Sequence, residues 1–160
     1  MSFIRWSKVE PSNSPSASHT SSPTSLKEVE RESKWPEARS GHRMARFGKE
    51  IYLFGGIDSS GSYLNDLYVL DEKMNWRWVR AKGEVPEMRA FHSMDVIAGL
   101  IWVFGGCAFK KYFNDTKVFD PSTRIWASLP NLNGTEFEHP SPRYSHCATV
   151  IDSSLLLLYG

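Results

Sequence analysis

The sequence predicts an all-β fold in which four-stranded antiparallel sheets repeat along the chain and stack face to face as a radial array. Three observations predict it. First, the chain matches itself at an interval of about 50 residues, the mark of repeated supersecondary units. Arg39-Ser-Gly-His42, Ile51-Tyr-Leu-Phe-Gly55-Gly56, Asn65-Asp66, Asp71 and Trp76 return as Arg89-Ala-Phe-His92, Ile101-Trp-Val-Phe-Gly105-Gly106, Asn114-Asp115, Asp120 and Trp126. A third copy opens at Arg143-Tyr-Ser-His146 and reaches Leu158-Tyr159-Gly160. Second, several short runs are apolar on both faces, as in Leu67-Tyr68-Val69-Leu70. A strand with no polar side is covered on both sides, so each sheet lies between neighbours. Third, no segment of ten or more residues carries convincing helical periodicity.

The elements follow in order. Residues 3–9 read as a short strand, with Trp6 suited to the outer strand of a blade or, equally, to an irregular tail. Residues 11–25 are almost entirely Ser, Thr and Pro; they bury too little apolar surface to offset chain entropy and are expected to be disordered. Ser14-Pro15 and Ser22-Pro23 suit proline-directed kinases or an unmodified linker. Residues 26–34 are charged and read as solvated linker, so 1–35 form one N-terminal segment. The first repeat covers 36–85, with strands near 41–47, 50–55, 66–71 and 75–80. The second covers 86–139, with strands near 91–97, 100–105, 115–120 and 124–128. The third begins at 140 and runs to 160. Gly48 and Ala98-Gly99 break the first pairs, and the stretches after Asp71 and Asp120 are turns. With two and a half units present, the chain is expected to be the N-terminal part of a longer protein, and alone to be marginal or prone to aggregate through its open edge.

Composition narrows the function. The chain has 160 residues, 41% hydrophobic and 13% aromatic, enough for a packed core. Its 19 basic and 18 acidic side chains leave a net charge of +1, so no basic stripe is available for nucleic acid. Cys107 and Cys147 occupy unrelated points of their repeats and form no disulfide framework or metal spacing. No signal peptide or membrane span is visible in this stretch. The expected location is cytoplasmic, or nuclear.

The double glycine after a four-residue apolar strand, the downstream aspartate and the tryptophan, occurring in order twice with a third onset, resemble the kelch-repeat family. The resemblance covers about 36–160. It implies a kelch-type β-propeller, six blades being usual, and by analogy a ring closed by joining the chain ends.

Each recurring residue also has its own physical reading. Gly55, Gly56, Gly105 and Gly106 are expected to end the second strand where a side chain would clash. Trp76 and Trp126 are expected to wedge between sheets, with Trp78 an alternative occupant of the first slot. Arg39, Arg89 and Arg143, each after a proline (Pro36, Pro86, Pro142), are placed to bond backbone carbonyls with a planar fork. His42, His92 and His146 are expected to make structural hydrogen bonds rather than bind metal, since equivalent positions sit one blade apart. Asp71 and Asp120 complete these structural positions.

Function is therefore expected in the loops that a rigid scaffold displays. The second-to-third-strand loops and the between-blade segments fall on one face. The first such loop holds Asp58 and Tyr63; the second holds Phe109, Lys110, Lys111 and Tyr112. The between-blade segments are 81–88, with Lys82, Glu84 and Glu87, and 129–141, with Asn131, Asn133, Glu136 and Glu138. Aromatics beside lysines suit a peptide or protein partner. The leading expectation is a protein–protein interaction module, a scaffold or substrate-recognition propeller, with no catalytic residue, no cofactor and no metal. The alternatives are a propeller enzyme whose metal site lies in blades beyond this chain, or a cytoskeleton-associated relative.

Overall fold

A computed structural model describes residues 35–129, 140–151 and 155–160. The readings of 3–9, 11–25 and 26–34, and of Asn131, Asn133, Glu136 and Glu138, fall outside the described residues. The described elements are all strands. In the first blade β1 (Arg39–Ser40), β2 (Arg43–Phe47), β3 (Glu50–Asp58), β4 (Tyr63–Leu70) and β5 (Trp76–Trp78) form one sheet. β1 and β2 both pair with β3, so they are one inner strand interrupted at Gly41-His42. The second blade holds β6 (Lys82–Gly83), β7 (Ser93–Ile97), β8 (Leu100–Phe104), β11 (Thr116–Asp120) and β12 (Ile125–Ser128), in the order β6-β12-β11-β8-β7. Between β8 and β11 stands a hairpin of β9 (Cys107–Ala108) and β10 (Lys111–Tyr112). β13 (Cys147–Ile151) and β14 (Leu155–Tyr159) pair as the first two strands of a third blade. The strands β2, β7 and β13 lie side by side, which sets the three sheets one after another around an axis.

Local chemistry explains the turns. Gly48 closes β2 to β3 at φ +59°, and Ala98-Gly99 closes β7 to β8 at φ +50° and +76°. Asp71 accepts the N–H groups of Lys73 and Asn75, both at 2.9 Å, and Asp120 accepts the N–H of Ser122 at 2.8 Å. Each turn then enters its outer strand after a residue with positive φ, Met74 or Arg124.

The structure departs from the sequence reading in three places. The glycine pair does not end the second strand of the first blade. β3 runs through it to Asp58, with a register shift between Phe54 and Gly56, and β4 accordingly begins at Tyr63. In the second blade β8 does stop at Phe104, just before the glycines, but the following segment, read as loop, carries the short strands β9 and β10. Third, the between-blade stretch 81–88 is not all loop: Lys82–Gly83 adds a fifth strand to the second blade, parallel to β12. This strap covers the outer edge of the sheet, where unpaired backbone groups would otherwise invite another chain.

The core lies between the first two blades. Tyr52, Phe54 and Val69 of one meet Ile101, Val103, Phe119 and Trp126 of the other. Trp126, 1% exposed, rests on Phe54 of the preceding blade with ring centroids 5.3 Å apart, and on Phe119 at 5.1 Å. Leu53 and Tyr68, which alternate to the opposite face of their sheet, are buried as well, as strands apolar on both sides require. The ladder identifies the matching tryptophan: Trp76 pairs with Leu70 as Trp126 pairs with Phe119. Trp76 is only half-buried because, among the described residues, no blade precedes it.

Candidate functional site

The recurring residues meet at the seam between blades. Arg89 sits there with its side chain fully buried. Its backbone belongs to the preceding blade: the Arg89 N–H donates to the Leu64 carbonyl at 3.0 Å, and the Arg89 carbonyl accepts from the Gly56 N–H at 2.9 Å. Its side chain belongs to its own blade. Nη1 donates to the Gly105 carbonyl at 3.1 Å, and the two Nη atoms grip Asp115 at 2.7 and 3.1 Å. Nε donates to the Glu87 carbonyl at 3.0 Å. Arg39 repeats this on Gly55, Glu37 and Asp66, and Arg143 donates to the carbonyls of Gly160 and Ser141. The carbonyl contacts are those the sequence suggested. The carboxylates of Asp66 and Asp115 were not anticipated as partners, although the Asn-Asp pair recurs in the sequence.

The glycines make room for this joint. A Cβ on Gly55 would lie 2.6 Å from the Arg89 carbonyl oxygen and 3.1 Å from the His92 ring; Gly105 stands likewise, 2.7 Å from the Arg143 oxygen and 3.2 Å from His146. The second glycine, Gly106, faces its own blade's His92.

His92 and His146 are space-fillers, contrary to the expected hydrogen bonding, whereas His42 keeps a hydrogen bond to the Arg39 backbone. Both ring nitrogens of His92 and of His146 lack a hydrogen-bond partner, as does Nδ1 of His42. The rings stand edge-on to aromatics of the preceding blade, His92 to Phe54 at 5.4 Å and His146 to Phe104 at 5.5 Å. Burial, then the charges of Arg89 and Arg43, push the pKa of His92 down to about 3, so it is neutral. Burial, followed by nearby arginine charge, lowers His42 and His146 too. Among the described residues no group of three His, Cys, Asp or Glu is placed to hold a metal.

One rim carries the candidate binding residues. Asp58 is spent on its own loop: it accepts the N–H groups of Ser60 and Ser62 at 2.8 and 2.9 Å, and hydrogen bonds from Ser60 and Ser62 hold its carboxyl below the usual range. Tyr63, Lys111 and Tyr112 stand on strands β4 and β10 rather than in loops. Tyr63 packs on Phe109 across the first seam at 5.0 Å. Tyr112 stacks on Tyr144 across the second at 5.2 Å, with the rings 22° from parallel. Phe109 is 71% exposed and Tyr112 54% exposed, so these contacts leave most of their surface open. Lys111 binds both oxygens of Glu87, at 2.6 and 2.8 Å. Phe109-Lys110 is the two-residue loop between β9 and β10, and Phe109 holds φ +53°, a position normally given to glycine.

Beside this loop lies a groove of about 790 Å³ formed jointly by the between-blade residues Val85–Met88 and the 108–113 hairpin. The two loop sets therefore share a face. Tyr144 went unnoticed in the sequence because it fills the variable second position of the Arg-X-X-His motif. Among the described residues no helix is long and apolar enough to cross a membrane.

Comparison with known proteins adds to this geometry. The family model described as the KLHDC2/KLHL20/DRC7 Kelch-repeats domain matches residues 18–160. The chain is 34% identical over 127 residues to Acyl-CoA-binding domain-containing protein 4 of Arabidopsis thaliana, covering 78% of this chain and 18% of that protein. It is 32% identical over 136 residues to Kelch domain-containing protein 3 of Rattus norvegicus, covering 78% of this chain and 35% of the relative. It is also 32% identical over 133 residues to Rho GTPase-activating protein gacHH of Dictyostelium discoideum, covering 78% of this chain and 8% of the relative. The chain thus spans only a minor part of the length of these relatives.

Proposed function

Because this chain belongs to the kelch-repeat family, whose β-propeller domains are in general protein-interaction modules, we propose that it binds a protein partner through the rim that carries Phe109, Lys110, Tyr112 and Tyr144. One observation carries the reading: the recurring residues are buried in the joints between blades, whereas these aromatics, although they touch across the seams, keep about half or more of their surface exposed on one rim beside Lys110. Large rings with open surface, next to cationic side chains, supply contact area at low entropic cost. Relatives named for different activities share the same segment as a small part of longer chains, which suits a module attached to varied functions. The cytoplasm or nucleus is the location proposed with it, since the two described cysteines are both free thiols.

The test is affinity capture by the full-length protein and by two variants of it, Phe109→Ser/Lys110→Ser and Tyr112→Ser/Tyr144→Ser. Loss of a reproducible set of partners in either variant supports the reading. An unchanged set in both refutes the use of this rim.

A further inference from the structure

We infer that the groove between the first two blades takes a short internal peptide segment, one bulky apolar side chain flanked by an acidic residue. The inference rests on the interaction reading above and names its ligand. Four observations lead to it. The groove is of small-ligand size, about 790 Å³ against the ~300–1,000 Å³ typical of such sites, so it suits one or two side chains rather than the face of a globular domain. Its walls are open and apolar: Val85 is 40% exposed, Met88 42% and Phe109 71%, over a floor that includes the buried Pro86 and Phe113.

Its charges are uneven. Lys111 is neutralised by Glu87 in a two-oxygen contact, while Lys110, exposed at the same lip, forms no such pair among the described residues. Among the described residues one positive charge is left uncompensated beside an apolar surface, and an acidic group next to an apolar anchor complements it. Finally, Phe109 is held at φ +53° at the tip of a two-residue loop. A bulky L-residue is strained there, yet the strain puts an aromatic ring on the lip, where one side rests on Tyr63 and most of its surface stays open.

The experiment uses end-blocked (acetylated and amidated) fluorescent decapeptides with a central Leu, Phe or Trp, flanked either by Asp and Glu or by Lys, so that no terminal charge contributes. Binding to the full chain is read by anisotropy. The acidic set is expected to bind, and the lysine set at least tenfold more weakly. Lys110→Glu is expected to weaken the acidic set tenfold or more and to narrow or reverse the preference, with Lys110→Arg retaining it. Phe109→Gly is expected to weaken binding while leaving the thermal midpoint unchanged or higher, which a purely structural role would not do.

Equal binding of both sets, or indifference to Lys110→Glu, overturns the inference. If no peptide binds while the Phe109/Lys110 variant still loses its partners in affinity capture, the rim reading stands and the peptide assignment fails. If the peptides bind as expected and captured partners are unaffected, the converse holds.

Discussion

The N–H of Gly56 donates to the carbonyl of Arg89 across the first seam at 2.9 Å, and the N–H of Gly106 donates to the carbonyl of Arg143 across the second at 2.8 Å. The same arginines bind their own blades with their side chains. One residue type thus ties each sheet to the one before it, through the backbone on one side and the guanidinium on the other. A second line of bonds runs parallel to it, from the Phe91 N–H to the Gly41 carbonyl at 2.8 Å and from the Ser145 N–H to the Phe91 carbonyl at 2.9 Å.

Arg89→Ala is expected to cost about 3 kcal/mol, the low end of the range for breaking a buried pair, because Asp115 keeps partial access to water. The change also strips donors from the Gly105 and Glu87 carbonyls. Arg89→Lys should recover little, since an ammonium cannot reproduce the fork. Urea unfolding of the full chain measures both. A lysine variant as stable as the parent would show that charge alone holds the joint.

Gly105→Ala and Gly48→Ala separate crowding from backbone strain. Both glycines have positive φ, +65° and +59°. A Cβ on Gly48 meets nothing within 4 Å, whereas one on Gly105 lies 2.7 Å from the Arg143 carbonyl oxygen. Gly48→Ala is expected to cost the left-handed penalty alone, about 1–2 kcal/mol. Gly105→Ala adds displacement of the next blade and should reach about 3–4 kcal/mol. Equal shifts in the denaturation midpoints would remove the close approach as the reason for this glycine.

These joints mark the limit of what the sequence discloses. Self-similarity shows which residues recur, not what they touch. Gly55 was legible as a tight spot, but its neighbours, Arg89 and His92, come from the next repeat. The aspartate partner was hidden for a similar reason: Arg89 and Asp115 are 26 residues apart and nothing local couples them. The strand alternation that places β8 and β11 was readable because apolar residues mark it. Lys82–Gly83 was not, since two exposed polar positions carry no period. On the rim, Phe109 and Lys110 were legible as loop residues, though not as the tip of a hairpin. The groove was not, because half of it comes from the between-blade segment.

Stability should fall with acid through His92. The folded protein holds this imidazole neutral, with a pKa near 3, by burying it without a hydrogen-bond partner. An unfolded histidine titrates near ~6.5. Below that value the unfolded chain takes up a proton that the folded chain refuses, so stability is complete above about 6.5 and declines as pH drops toward the folded pKa. From His92 alone the loss between pH 7 and pH 5 is about 2 kcal/mol. His42 and His146 shift in the same direction and add to it. His92→Phe keeps an aromatic ring against Phe54 and should flatten the pH dependence of urea midpoints. An undiminished slope in that variant would assign the acid sensitivity to other groups.

The strap over the second blade gives a prediction that is local rather than global. Gly83 holds φ +79°, and a Cβ there would overlap the Trp126 carbonyl oxygen. That carbonyl accepts the Glu84 N–H at 2.9 Å, and Lys82 donates to the Arg124 carbonyl at the same distance. Glu84 then reaches Lys117 at 3.2 Å. Gly83→Ala should therefore lift β6 from β12 while leaving the four antiparallel strands and the Trp126 contacts in place. The amides of Lys82 and Glu84 are expected to exchange with solvent at least tenfold faster, with amides of β8 and β11 unchanged. Removing the strap also exposes the β12 edge, so concentration-dependent self-association should appear in sedimentation. Unaltered exchange at both amides would mean that the strap tolerates a side chain at position 83, and that glycine there answers some other need.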